Sequence, residues 1–167
     1  MPAVTPKTVH LFMKGPFSQF HPAHFNVDGL DYVCTEQFMH AGKARVFGDT
    51  AMAERIMRSD SPHEHKLMGG RVSGFEQTAW DANRFAIVLT GNRAKFGQNG
   101  GLRRRLLDTG DAILAEANAK DYIWGIGLAE DDPAALDPAN WQGLNLLGQV
   151  LMQVRMELGI PSASPTG

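Results

Sequence analysis

The stretch from Gln77 to Leu107 limits this chain more than any other. In "QTAWDANRFAIVLT" (77–90), Trp80, Phe85, Val88 and Leu89 recur at helical spacing, and helical signals resume through Ala94 to Phe96 and Leu102 to Leu107. "GQNGG" (97–101) interrupts them. It lacks the Gly-Lys-Ser/Thr ending and the preceding strand of a phosphate-binding loop, so it reads as a helix break.

Helices also dominate elsewhere. Thr35 is expected to cap a helix over "TEQFMHAGKA" (35–44), with Gly48 ending it and Asp49 capping the next. "SPHEHK" (61–66) starts another, with Ser61 as N-cap, Pro62 in the first turn and Glu64 at the capping-box position. A final helix carries a stripe of Leu147, Val150, Leu151 and Val154. Strand signals are short: "TVHLFM" (8–13), two extended pieces around Asp28-Gly29 that suggest a hairpin, and "DAILAEAN" (111–118). "DYIWGIG" (121–127) reads as strand or loop. An acidic, proline-bearing excursion, "LAEDDPAALDPANWQG", follows it, and "PSASPTG" reads as a frayed tail. No repeat or linker divides the chain. The expectation is one α+β domain over residues 1–167, mainly helical, with a small antiparallel sheet and a core from about 8 to 160.

Composition narrows the function classes. A chain of 167 residues buries roughly 70% of its unfolded surface, so it needs no metal or disulfide to hold a core. With 43% hydrophobic and 20% charged residues it lacks a disorder signature, and a net charge of -2 excludes a generic nucleic-acid-binding polycation. The single cysteine, Cys34, excludes an intramolecular disulfide framework. With no recognisable base beside it, it reads as a buried structural thiol. No apolar run approaches the roughly 20 residues that span a bilayer, and "MPAVTPKTVH" has no signal-peptide core. A soluble, cytoplasmic protein with no membrane partner is expected.

Within "TEQFMHAGKA", Glu36, His40 and Lys43 fall in one narrow helical stripe that Phe47 continues, while Phe38, Met39, Gly42 and Val46 are expected to face elsewhere. Such a stripe is either a set of exposed neighbours contributing a few tenths of a kcal/mol or an acid, an imidazole and an amine aimed at one ligand. Trp80 and Trp124 are either core residues or stacking surfaces. Gly125 and Gly127 beside Trp124 permit close approach to a ligand, whereas Trp141 reads as packing. Arg93, Lys95, Arg103, Arg104 and Arg105 form a basic cluster suited to phosphate or to solvent. His63 and His65, two residues apart on a helix, point nearly opposite ways, and no Cys/His cluster completes a metal site.

The ordered set "FSQF", "TEQFMHAGKA", Trp80, "NRAKF", "LAEANAKDYIWGIG" and "GLNLLG", followed by "LM" and "VR", resembles the NADAR, or YbiA-like, N-glycosidase family from about Phe12 to Leu158. The resemblance implies a compact, mainly helical α+β fold and cleavage of the C–N bond between ribose and a base or amine, with no cofactor and no metal. It implies as substrate a ribosylated heterocycle: either an ADP-ribosylated guanine in a nucleotide or nucleic acid, or a ribosylamino-pyrimidine of riboflavin synthesis. A module that binds ADP-ribose without turnover is the rival of another class.

The family's functional positions fall on Glu36, Lys43, Trp80, Lys95, Glu116, Asp121, Trp124, Gly125 and Asn145. Glu36 and Asp121 are the expected carboxylates for proton transfer and for the positive charge that develops at C1′. Lys43 is either a nucleophile, forming a Schiff base with the sugar, or an electrostatic helper. Phe17, His40, Trp80, Lys95, Glu116, Trp124, Gly125 and Asn145 are the expected substrate contacts. The chain departs from the YbiA-type pattern at Gln37, His40, Ile126 and Leu144 and in its longer excursion. These departures favour ADP-ribosylated guanine over the riboflavin-type substrate.

Overall fold

Helix caps and apolar stripes account for most of the architecture. The computed structural model describes residue 3 and residues 5–160, so the "PSASPTG" tail lies outside the described residues. Strand β1 (Val9–Phe12) is followed by the hairpin β2 (Phe25–Val27) and β3 (Leu30–Tyr32), and then by helices α1 (Thr35–Val46), α2 (Thr50–Arg58), α3 (Pro62–Gly69), α4 (Gln77–Gln98) and α5 (Gly100–Leu107). Strand β4 (Ile113–Glu116) comes next, then two short 3-10 turns (Pro133–Leu136 and Pro138–Asn140) and α6 (Leu146–Leu158).

The long helical signal is realised as α4, 22 residues or about 33 Å, and the break at Asn99 separates it from α5. Asp49 caps α2 by accepting from Met52 N, and Ser61 caps α3 by accepting from Glu64 N. The N-cap of α1 is Cys34, not Thr35. Thr35 already lies inside the helix, and its hydroxyl donates to Gln19 O at 3.3 Å instead. "DYIWGIG" is a loop.

The antiparallel hairpin pairs Phe25 with Tyr32 and turns at Asp28 and Gly29, both with positive φ as a tight two-residue turn requires. A second pairing was not anticipated: β1 and β4 lie parallel, Val9 opposite Ile113 and Phe12 opposite Glu116. Parallel strands far apart in sequence carry no turn signal between them, so alternation alone could not join them. Helix α1 packs on α2, α3 and α4, while α6 lies between α4 and β4. The main core joins Phe12, Trp80, Val88, Leu89 and Phe96 to Leu147, Val150, Leu151 and Val154. Trp141 packs in the excursion and donates its indole N–H to Ala135 O at 2.8 Å. Among the described residues, no helix is long and apolar enough to cross a membrane.

Candidate active site

Strands β1 and β4 run parallel, so their C-terminal ends open on the same side, where ligands enter open α/β sheets. A cavity of about 530 Å³ lies there. Met13 and Lys14 follow β1 into its wall; Glu116 ends β4, and Asn118, Asp121 and Trp124 follow it. Helix α1 contributes Glu36, Met39, His40 and Lys43, helix α3 His63 and Lys66, helix α4 Trp80, and the segment before the hairpin Ser18, Gln19 and Phe20.

The α1 stripe is buried rather than solvated: Glu36 is 5% exposed and His40 7%. His40 Nε2 lies 2.8 Å from Glu36 Oε1, so the ring N–H donates to the carboxylate and fixes its orientation. The other ring nitrogen, Nδ1, is buried without a partner among the described residues. Met39 lines the cavity too, contrary to its expected direction. It sits one residue before His40, and its long, flexible side chain reaches the same wall.

Lys43 is half-buried, its Nζ 4.7 Å from the centre of the Phe75 ring and 5.6 Å from that of Trp80. Desolvation in this aromatic setting lowers its pKa. Glu116 moves the other way. Burial, then repulsion from Asp121 and Glu36, push its carboxyl up to about 7, with Lys66 offsetting part of the rise. Its Oε2 is buried with no partner among the described residues. Asp121 Oδ1 accepts from Ile123 N at 3.0 Å and Trp124 N at 2.8 Å, which shapes the loop that presents Trp124.

Of the expected site residues, the fold thus gathers Glu36, His40, Lys43, Trp80, Glu116, Asp121 and Trp124 around one cavity. Four others lie off its wall. Lys95 is fully buried. Its Nζ donates to Ser18 O at 3.0 Å, and desolvation lowers its pKa to about 7. Asn145 accepts from Glu116 N at 3.2 Å and donates to Leu114 O at 2.9 Å, so it ties α6 to β4 beneath the site. Gly125 is buried against backbone, where a Cβ would come 2.9 Å from Glu116 O. Phe17 turns to a neighbouring groove. The basic cluster disperses as well: Arg93 pairs with Glu157 at 2.6 Å, and Arg103 donates to Phe96 O at 3.4 Å.

Lys14, Ser18, Gln19, Phe20, His63, Lys66 and Asn118 were not anticipated as lining residues. They come from segments far apart in the chain, and only the motifs "FSQF" and "LAEANAKDYIWGIG" carry a signal for any of them. His63 faces the cavity while His65 is buried, as their two-residue separation on a helix implies. Cys34 has a base after all: its Sγ lies 3.6 Å from His65 Nδ1, a contact across 31 residues. Burial raises the thiol's pKa and leaves Cys34 1% exposed, so the pair remains structural.

The NADAR domain model matches residues 10–159, nearly the whole described chain. The chain belongs to the NADAR family. It is 43% identical over 146 residues to a protein of Acanthamoeba polyphaga mimivirus named N-glycosidase R617, covering 84% of this chain and 86% of that protein. Escherichia coli N-glycosidase YbiA is 32% identical over 146 residues, covering 87% of this NADAR chain and 82% of the relative. A Vibrio vulnificus protein named riboflavin biosynthesis protein VVA0006 is 29% identical over 144 residues, which are 86% of this chain and 35% of the longer relative. The NMR structure of E. coli YbiA superposes with a TM-score of 0.76 at 31% identity, covering 93% of this chain and 87% of that one.

Proposed function

We propose that this NADAR protein is an N-glycosidase that removes ADP-ribose from guanine bases, cleaving the bond between ribose C1′ and the base nitrogen. The reaction class rests on relatives named N-glycosidase. The observation that carries the chemistry is Glu116, a carboxyl with a pKa of about 7 in the same cavity as Glu36.

A carboxyl that shares its proton with solvent near neutral pH is suited to protonate a departing nitrogen. Glu36, oriented by His40, faces the positive charge that builds on C1′ as the C1′–N bond breaks, and it can accept a proton from the attacking water. Lys43 can enter in either of two ways. Its neutral amine attacks C1′ as the base leaves with the proton from Glu116. The C1′–O4′ bond of the resulting ribosyl-lysine then breaks as the amine's proton passes to O4′, and water hydrolyses the imine so formed to free sugar and amine. As an ammonium it instead stabilises substrate oxygens. Trp124 and Trp80 offer faces to the base; stacking on an aromatic ring contributes about 1–3 kcal/mol per base. Lys14, His63 and Lys66 stand exposed on the cavity wall, where phosphate oxygens can meet them.

Two features support the larger substrate: a cavity in the range that takes drug-sized ligands, and departures from the YbiA-type pattern that include the His40 partner of Glu36. The name of the Vibrio relative favours a second reading, hydrolysis of a ribosylamino-pyrimidine phosphate. Incubation with ADP-ribosylated guanosine and, separately, with the ribosylamino-pyrimidine phosphate decides between them. Free ADP-ribose and guanosine are expected from the first. Release of ribose 5-phosphate from the second alone would establish the rival. Tight binding of ADP-ribose with no release from either would make the protein a binding module.

A further inference from the structure

A second concavity, of about 520 Å³, lies across the Met13–Phe17 turn from the catalytic cavity and shares Lys14 with it. His10, Phe17, Arg105, Asp108 and Glu130 also line it, and none of the groups assigned to bond cleavage reaches it. The Phe17 ring is buried and meets the His10 imidazole edge-on, with centroids 5.5 Å apart, which holds the exposed His10 ring against β1. Arg105 is exposed near the end of α5. Among the described residues neither it nor Asp108 forms an ion pair, although they are one helical turn apart.

These groups suit one kind of occupant. A flat guanidinium and a flat imidazole can take a heterocycle between or upon them. The carboxylates of Asp108 and Glu130 accept from sugar hydroxyls or an exocyclic amine. A run of phosphates would meet both carboxylates, so the mixed charge disfavours a polynucleotide. A neutral nucleoside, joined at one end to a phosphate beside Lys14, meets no such repulsion.

We propose that this groove seats the distal nucleoside of the substrate, with the pyrophosphate crossing at Lys14 and the ribose to be cleaved lying in the catalytic cavity. The assignment rests on the ADP-ribosyl reading above and adds a specificity site to it. The groove would then distinguish an ADP-ribosyl substrate from a simple ribose phosphate, which ends at Lys14.

Calorimetric titration of the wild-type protein and a His10→Ala/Arg105→Ala double variant with ADP-ribose, with ribose 5-phosphate and with an unmodified guanine oligonucleotide tests this. The wild-type protein is expected to bind ADP-ribose at least tenfold more tightly than ribose 5-phosphate. The double variant should lose that preference while its affinity for ribose 5-phosphate stays within about twofold. An unchanged preference in the variant overturns the assignment, as does an equal loss for both ligands. Loss of affinity only for an unmodified guanine oligonucleotide overturns it in favour of a polynucleotide. Turnover separates this result from the parent reading: ADP-ribose release by a wild-type enzyme whose variant binds ADP-ribose normally sinks the groove alone. Absence of any release sinks the N-glycosidase reading, and the titration still decides the groove.

Discussion

His40 Nε2 and Glu36 Oε1 lie 2.8 Å apart, one helical turn from each other and both buried in the wall of the cavity. A hydrogen bond to a carboxylate in such a place is of order 1.5–3 kcal/mol. His40→Leu is therefore expected to lower kcat/KM by roughly ten- to a hundred-fold, while His40→Gln, which keeps an N–H donor, retains most activity. Glu36→Gln should lower kcat by roughly 10²–10⁴-fold. Full activity in Glu36→Gln would remove Glu36 from the chemistry.

Gly69 of α3 lies against the His40 ring, and a Cβ there would sit 1.9 Å from His40 Nδ1. Gly69→Ala must push the imidazole off Glu36. The expected result is a lowered Tm together with a fall in activity like that of His40→Leu. The double variant Gly69→Ala/His40→Gln should recover part of both, since the smaller, unbranched side chain can yield.

Glu116 sets a pH limit. Its carboxyl is pushed up to about 7, and in the proposed reaction the protonated form is the donor. The limb of kcat/KM that depends on it should be full below that value and fall as pH rises through about 7. Glu116→Gln should lower the rate and abolish that limb. A profile with an unshifted alkaline limb in Glu116→Gln would assign the proton to another group.

Lys43 is tested by trapping. If its amine attacks C1′, borohydride added during turnover yields a sugar adduct on Lys43, located by peptide mass spectrometry and absent from Lys43→Ala. Desolvation lowers its pKa, so the nucleophilic form appears at lower pH than for an exposed lysine. An active Lys43→Ala variant would exclude the covalent route.

Lys95, buried off the cavity wall, is expected to act on stability. Burial lowers its pKa to about 7 from 10.5, so between those values the unfolded chain holds more protons at this site than the folded one. Stability from this group must therefore rise with pH across that window, by at most about 1.4 kcal/mol per unit. Urea titrations from pH 7 to 10 should show this rise in the wild-type protein and a flatter dependence in Lys95→Met.

Much of the site was legible because it lies on one helix or one short loop. Glu36, His40 and Lys43 share a face at a spacing that backbone geometry imposes, and Asp121 and Trp124 sit three residues apart in a turn that the Asp121 side chain itself caps. Lys95 and Asn145 carried the family pattern equally well, yet they support the site from beneath. A pattern of residue types does not distinguish a side chain that touches a ligand from one that holds the wall.

The amino-acid sequence by itself determined the helices, the Asp49 and Ser61 caps, the hairpin turn and the acid–imidazole–amine stripe, because each depends on neighbours within a few residues and on backbone geometry. Only the tertiary structure decided that β1 runs parallel to β4 across about a hundred residues, bringing Glu116 opposite α1. It also decided which groups lose water: the raised carboxyl of Glu116, the lowered amines of Lys43 and Lys95 and the Cys34–His65 contact all arise from burial. Burial is a property of packing between distant segments, and local spacing does not carry it.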